Sequence, residues 1–483
     1  MYALKTNIPG NLLVYLVSFA FIALNTYFIS GEFYYFSILP LIIVLLWLVF
    51  FSLDKFIFLI VFLVPLSIPL TRIFGKMDVD LYLPTEPFLA GVMLVFFIKY
   101  LQGHRIDIKI LRHPLSIAIY LNIAWIFITS LTSSMPIVSF KFLVVRIWFI
   151  ITFYLLAAEI FKSRKKMRTY VWVYVIPFLF VIIYVITKLS TYGLTNQQAS
   201  NFVVDPFFND HTSYGAILAM LIPVLIGLFI IYRKIRKGLK FLFLLLLIIY
   251  FAGLVLSYTR AAWLSLILTF GIFIIIKLRI KWQFILAGLI ILLGLFFSLK
   301  TDVLMKIEEN KQASSGKFTE HLQSMSNVRN DESNLERLNR WSCAIRMFKE
   351  RPVFGWGAGT YMFQYGSFQS SSETTSISTN AGVKGNAHSE YLGPLSEQGI
   401  FGLLSILSII IISIWTGLKV YFKSRDRNLR IFILSVLLGL CTYYLHGLMN
   451  NFLDTDKASA LFWGFSAMLV AADVYQLREG EKT

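Results

Sequence analysis

Charge is scarce in this chain of 483 residues: 14% are Asp, Glu, Lys or Arg, against 57% hydrophobic residues. A soluble domain of this length cannot hide so much apolar surface, so the composition excludes that class and calls for a bilayer as solvent. Acidic residues are the scarcer sign, 26 against 44 Lys and Arg, leaving a net charge of +18. In a soluble protein this excess would suggest nucleic acid. Here the basic residues sit in short runs between apolar stretches, where they set topology, and no nucleic-acid partner is implied. Cysteine is nearly absent. Cys343 lies in a polar interval and Cys441 in an apolar run. Neither has metal-ligand spacing, and a disulfide between them would cross membrane depth, so two unpaired thiols are expected. The chain also lacks HExxH, zinc-ligand spacing and a serine nucleophile elbow. A cleavable signal peptide is not expected either, because 11–29 has no small-residue cleavage site and is long enough to span.

What the chain has instead is long apolar runs. A helix needs roughly 20 apolar residues to cross about 30 Å of hydrocarbon. Candidate spans fall at 11–29, 33–51, 56–71, 87–101, 114–132, 138–161, 169–189, 213–232, 241–258, 261–276, 282–299, 400–420, 431–449 and 458–475. Basic runs at 105–112, 162–168, 233–240, 277–281 and 423–430 are separated by even numbers of spans, so all are expected in the cytoplasm together with both termini. The opposite loop 190–210 holds Asp205 and Asp210 but no Lys or Arg. This orientation puts 257–261 and the long polar interval 300–399 on the outer side. The expected division is an N-terminal transmembrane bundle over 1–299, an exoplasmic (periplasmic) loop domain over 300–399 and C-terminal transmembrane helices over 400–483.

The second half of that interval, 334–404, carries the chemistry. From Glu336 onward Trp341, Ile345 and Phe348 recur at helical spacing, and Pro352 ends the run. Arg337 shares a face with Trp341, where an arginine wants an anionic partner; Glu332 or Glu336 is the alternative within the protein. Arg340 reads as a solvated face residue. The stretches 312–334 and 367–380 are low in complexity and expected to be mobile. His388, before an outer helix end, is a candidate base, since an imidazole accepts a proton near neutral pH. Arg260, at the outer end of a helical hairpin, suits a phosphate clamp or a snorkelling anchor. The aromatic residues beside it, Tyr258 and Trp263, fit an interfacial belt. His211 either lines the same cavity or caps a helix with Asp210 and Thr212. Arg146 is an intramembrane charge, partnered by Glu159 or a carbonyl if it is structural. The turn GWGAG at 355–359 lacks the Lys-Ser/Thr of a nucleotide loop, so close chain packing is the expectation there. Asp78 and Asp80 form an acidic loop pair, read as solvated rather than metal-binding.

Four motifs together carry a resemblance: LSYTRAAWLSL at 256–266, RLNRW at 337–341, ERPVFGWGAGTY at 350–361 and AHSEYLGPLSEQGIFGLL at 387–404. Their order resembles the O-antigen ligase and polymerase superfamily of bacterial lipid-linked polysaccharide transferases. The resemblance implies an all-α polytopic membrane protein, GT-C-like, of about 12–14 transmembrane helices with one large outer loop, in the bacterial inner membrane. It implies transfer of a glycan from undecaprenyl pyrophosphate to an acceptor sugar hydroxyl such as one on lipid A core, with inversion and without cofactor or metal. Arg260 and Arg337 would complement the pyrophosphate and His388 would serve the acceptor hydroxyl. Arg340, His211, Arg146 and Tyr391 would contact substrate. Ligase, repeat-unit polymerase and protein-glycosylating relatives share these motifs, and a lipid-glycan flippase is the rival from another class.

Overall fold

The computed structural model describes residues 10–75, 81–232, 236–281, 283, 284, 287, 288, 332–371, 373, 378 and 385–477. The loop pair Asp78 and Asp80, and most of the expected span 282–299 and of the two low-complexity stretches, therefore lie outside the described residues. The chain divides into two compact units, one ending at Leu59 and one beginning at Ile60. In the first, α1 (Gly10–Ser30) and α2 (Leu39–Phe51) display apolar side chains such as Phe19, Ile22, Trp47 and Phe51 on their exposed faces. α3 (Leu53–Leu63) carries the chain into the second.

The second unit holds the remaining helices: α4 (Leu70–Phe74), α5 (Thr85–Leu101), α6 (Ile108–Leu111), α7 (Pro114–Leu131), α8 (Pro136–Ile160), α9 (Arg164–Ser190), α10 (Gln197–Val203), α11 (His211–Ile231), α12 (Lys237–Leu256) and α13 (Arg260–Leu278). Then follow α14 (Glu332–Glu350), α15 (Tyr361–Gln364), α16 (Leu392–Lys423), α17 (Arg427–His446) and α18 (Asp456–Gln476). Among the described residues ten helices are long and apolar enough to cross a membrane. The chain is an all-α polytopic membrane protein. Burial separates centre from rim: 78%, 83% and 89% of the apolar windows of α11, α17 and α18 are buried, against 28% and 22% for α12 and α13. Lipid tails are as apolar as leucine, so these helices gain by close packing rather than by leaving water. Gly439 of α17 makes that approach possible, since a Cβ there would lie 2.6 Å from the Met220 carbonyl of α11.

One expected span comes out differently. Instead of 56–71 the structure has α3 followed by a short 3-10 turn, Val64–Leu66, and the strand Ile68–Pro69 (β1), which pairs antiparallel with Tyr82–Leu83 (β2). The expected span 87–101 falls within the 17-residue α5. Pro65 and Pro69 lack the N–H that a continued helix requires. The freed polar groups are satisfied within the protein, as backbone at membrane depth must be. Ser67 and Thr85 hydroxyls donate to the buried Asp456 carboxylate at 2.7 and 2.6 Å, and Lys457 Nζ donates to the Ser67 carbonyl at 3.0 Å.

The basic runs gather at one end. Arg164 pairs with Asp426, Lys419 Nζ meets Asp473 at 2.7 Å, and the Tyr475 hydroxyl donates to Asp107 at 2.6 Å. The starts of α8, α11, α13, α16 and α18, the end of α17, and α14 with its neighbouring turns form the opposite end. Polar residues with chemical potential collect there.

Candidate functional site

α14 supplies the first wall. Its buried stripe is Glu336, Asn339, Arg340, Cys343, Ala344 and Met347, a 3–4 spacing that defines one helical face. The expected face of Trp341, Ile345 and Phe348 is rotated away from it, and Ile345 is exposed. The large aromatic residues suggested the wrong stripe because the packing is done by small and medium side chains. Cys343, Ala344 and Met347 form one core with Tyr361, Tyr365 and Ala387, which ties the two ends of the 334–404 stretch together. Arg340 is consequently not solvated. It is buried over the Tyr365 ring, its Nε donates to Glu336 at 2.7 Å, and a terminal nitrogen donates to the Asn386 carbonyl at 3.2 Å. Both cysteines are free and buried.

The second wall is the GWGAG turn, which packs against the bend of α16. Gly399 has φ +70° and interrupts the helix, and a Cβ there would lie 2.1 Å from the Val353 carbonyl. Each backbone group released by the bend finds a partner. Trp356 N–H donates to Ser396 O at 3.2 Å, Gly357 N–H to Glu397 O at 2.7 Å and Trp125 Nε1 to Gln398 O at 2.8 Å. Ile400 N–H in turn donates to Pro352 O at 2.9 Å. The acceptor in this glycine-rich turn is the protein's own: Glu397 accepts the N–H groups of Gly359 and Tyr361, both at 2.9 Å. Close chain packing, not phosphate binding, explains the glycines.

His388 sits between these walls with φ +47°, a left-handed conformation unusual for a non-glycine residue. Asn386 holds it there, its Oδ1 accepting the His388 N–H at 3.0 Å, while Trp341 Nε1 donates to the His388 carbonyl at 3.4 Å. Burial, and then the nearby Arg340 and Arg337 guanidinia, lower the imidazole to a pKa of about 4. At neutral pH it is uncharged and carries a lone pair. Asp210 and Glu336 are the anions that partly offset those cations.

Two helix starts complete this group. Asp210 caps α11, accepting the N–H groups of Thr212 and Ser213 at 2.8 Å each. His211, next in the chain, feels Asp210 and Arg337, and its carbonyl accepts the Thr259 hydroxyl at 2.9 Å. Thr259 is the cap residue of α13, so this bond places Arg260, the first residue of that helix, beside the start of α11. Tyr258 and Trp263 secure the hairpin through bonds to the carbonyls of Leu194 and Leu254. His446, at the end of α17, lies against the Ala261 backbone and also feels Arg337. Sequence reasoning missed His446; its position at the outer end of an apolar run, as for His388, was the available signal. Arg260, Arg337, His388 and His211 thus gather at one end, with Arg340 behind them.

Arg146 and Tyr391 are placed elsewhere. Arg146, buried in α8, pairs with Asp454 at 2.9 Å, not with Glu159, which stands thirteen positions further along α8 at the basic end and accepts the Asp107 N–H at 3.1 Å. Arg146 lines a cavity of about 110 Å³ with Glu390, Glu397 and Gln398. Within it Glu390 accepts three bonds, from the Tyr443 hydroxyl and the N–H groups of Phe452 and Leu453. Burial, then Asp454, pushes its carboxyl up. A second cavity, about 220 Å³, reaches from Asp210 to Lys457, and the two share Asn386, Asn451 and Asp454. The polar run NNFLDTDK at 450–457, between two apolar stretches, was the overlooked sequence signal for this region. Tyr391 lines neither cavity; its hydroxyl donates to the Tyr444 carbonyl at 2.8 Å. Among the described residues no group of three or more His, Cys, Asp or Glu is arranged to hold a metal ion.

Residues 245–407 match the family model described as O-antigen ligase. This region belongs to the O-antigen ligase superfamily. Arg260, Arg337, Arg340 and His388 all fall inside the matched segment, whereas Arg146, His211, His446 and Asp454 fall outside it. The match supports a membrane glycan-transferring enzyme of the ligase and polymerase superfamily. No curated protein matches the chain.

Proposed function

We infer that the protein transfers a glycan from undecaprenyl pyrophosphate to a sugar hydroxyl at the outer face of the bacterial inner membrane, as an O-antigen ligase does. The observation that carries this reading is a neutral imidazole, His388, held beside guanidinium groups where the starts of two long helices meet. The arginines and the positive end of α13 suit a pyrophosphate. The imidazole suits the acceptor hydroxyl that attacks the anomeric carbon. In this reading the acceptor oxygen bonds to the anomeric carbon while the bond from that carbon to the pyrophosphate oxygen breaks, with inversion. The hydroxyl proton passes to His388, and the electron pair leaves on the pyrophosphate, whose charge Arg260 and Arg337 complement. Arg340 acts through Glu336 and Asn386 as a positioning residue. Tyr391 supports α17 rather than touching substrate.

Pyrophosphate binding also repairs a weakness in the base. An imidazole with a pKa near 4 is a poor proton acceptor, but an anion bound at the neighbouring arginines raises it toward 6.5. The base becomes competent when the donor is in place. The gathering of basic runs at the other end supports an outer location for this site, with those runs in the cytoplasm. Transfer by purified protein, offered lipid-linked donor with lipid A core, a second lipid-linked repeat or an exported polypeptide, tests the reading. Product on lipid A core is the expected result; product on one of the others makes the enzyme a polymerase or a protein glycosylase, and no transfer to any acceptor contradicts it.

A further inference from the structure

The geometry points to a subsite for one uncharged sugar ring in the 220 Å³ cavity between Asp210 and Asn451, next to His388. The inference rests on the glycan-transfer reading above and adds the class of group that occupies this cavity. Asn451 lines both cavities, and its Oδ1 is buried with no hydrogen-bond partner among the described residues. Gln398, only 2% exposed, presents an equally unpartnered Oε1 where it lines the adjoining cavity. Asp454 is half-exposed although both cavities enclose it, and its carboxylate meets Arg146 on one side. Buried acceptors left without donors are costly, and a ligand rich in O–H groups satisfies them.

The charges select against the alternatives. Asp210 and Asp454 outnumber Lys457 in the 220 Å³ cavity, which disfavours a phosphate there and sends the pyrophosphate to the arginines instead. Lys457 and the neighbouring Arg146 disfavour a simple cation. Tyr82 and Phe208 add apolar surface for the C–H face of a ring, and the volume lies below the range of about 300–1,000 Å³ typical of drug-sized ligands. Asn386 gives the subsite its consequence. It lines the cavity, accepts the His388 N–H at 3.0 Å and, through its carbonyl, the Arg340 guanidinium at 3.2 Å. A ring seated there is in register with the base.

The ring belongs either to the donor, beside its pyrophosphate, or to the acceptor, beside its hydroxyl, and kinetics separate the two. Asn451→Ala in the full-length protein is expected to raise the KM of one substrate by about 2–10-fold, the worth of one hydrogen bond, and to leave the other within twofold. A rise for the lipid-linked donor assigns the donor ring; a rise for the acceptor glycan assigns the acceptor ring. Asn451→Ser serves if the alanine variant does not fold. As a second readout, oligosaccharide cleaved by mild acid from the purified donor, and separately the free acceptor glycan, is titrated against wild type and variant, following thermal stability. Stabilisation of wild type that the variant loses supports the subsite even if His388→Ala proves active and the catalytic reading fails. Unchanged KM values for both substrates in the variant, with no saccharide-dependent stabilisation of wild type, mean that the cavity holds water alone and overturn the inference.

Discussion

Two neighbouring polar groups at one end of the bundle are built in opposite ways. The first, around Arg337 and His388, sets guanidinium groups and imidazoles against the starts of α11 and α13. The second, around Glu390, Glu397 and Asp454, sets carboxylates against backbone N–H groups and one arginine. Buried acids are habitual suspects for catalysis, yet Glu397 is committed to two N–H groups and Glu390 to three donors. Their work is to hold the GWGAG turn and the 447–455 turn in place. A chemically capable residue is sorted by what already occupies it, and Arg340 illustrates the same rule among the cations.

The comparison can be broken by substitution. Losing a base costs catalysis but not the fold, so His388→Ala is expected to lower kcat by about 10²–10⁴-fold, with folding unchanged by thermal melt. Arg337→Ala and Arg260→Ala are each expected to cost about 10²–10³-fold in kcat/KM for the donor, and lysine at either position to restore only part of it, because a point charge lacks the planar fork. Steady-state kinetics with purified donor measure both. In the second group the cost falls on stability: Glu397→Ala strands the N–H groups of Gly359 and Tyr361 and is expected to destabilise by about 2–4 kcal/mol, read as a lowered Tm. Activity of correctly folded Glu397→Gln should remain close to wild type. The smallest effect is on pH dependence. His388 titrates near 4 in the free protein, below its ordinary 6.5, so the acid limb of kcat/KM is expected near pH 4. With donor saturating, the bound anion raises that value, and the acid limb of kcat moves upward toward pH 6.5. Stability follows the same sign: the folded state holds the imidazole neutral, and stability is lost as pH falls from 6.5 toward 4.

The fold was legible where apolar runs are long, because 20 apolar residues admit few structures besides a spanning helix. It was illegible at 56–71, where the breaks at Pro65 and Pro69 depend on Asp456 and Lys457, far away in the chain. At the candidate site, motif order brought out Arg260, Arg337 and His388. Periodicity misjudged Arg340, because large aromatic residues outweighed the small ones that pack. Arg146 was visible as a buried charge, but its partner Asp454 belongs to a loop distant in sequence, so no local pattern could supply it.

A structure of the full-length protein with a lipid-linked pyrophosphate donor bound tests the central claim most directly. The pyrophosphate is expected within hydrogen-bonding distance of Arg260 and Arg337, with the anomeric carbon facing the His388 imidazole. A pyrophosphate seated instead against Arg146, or at the end where Arg164 meets Asp426, would contradict it.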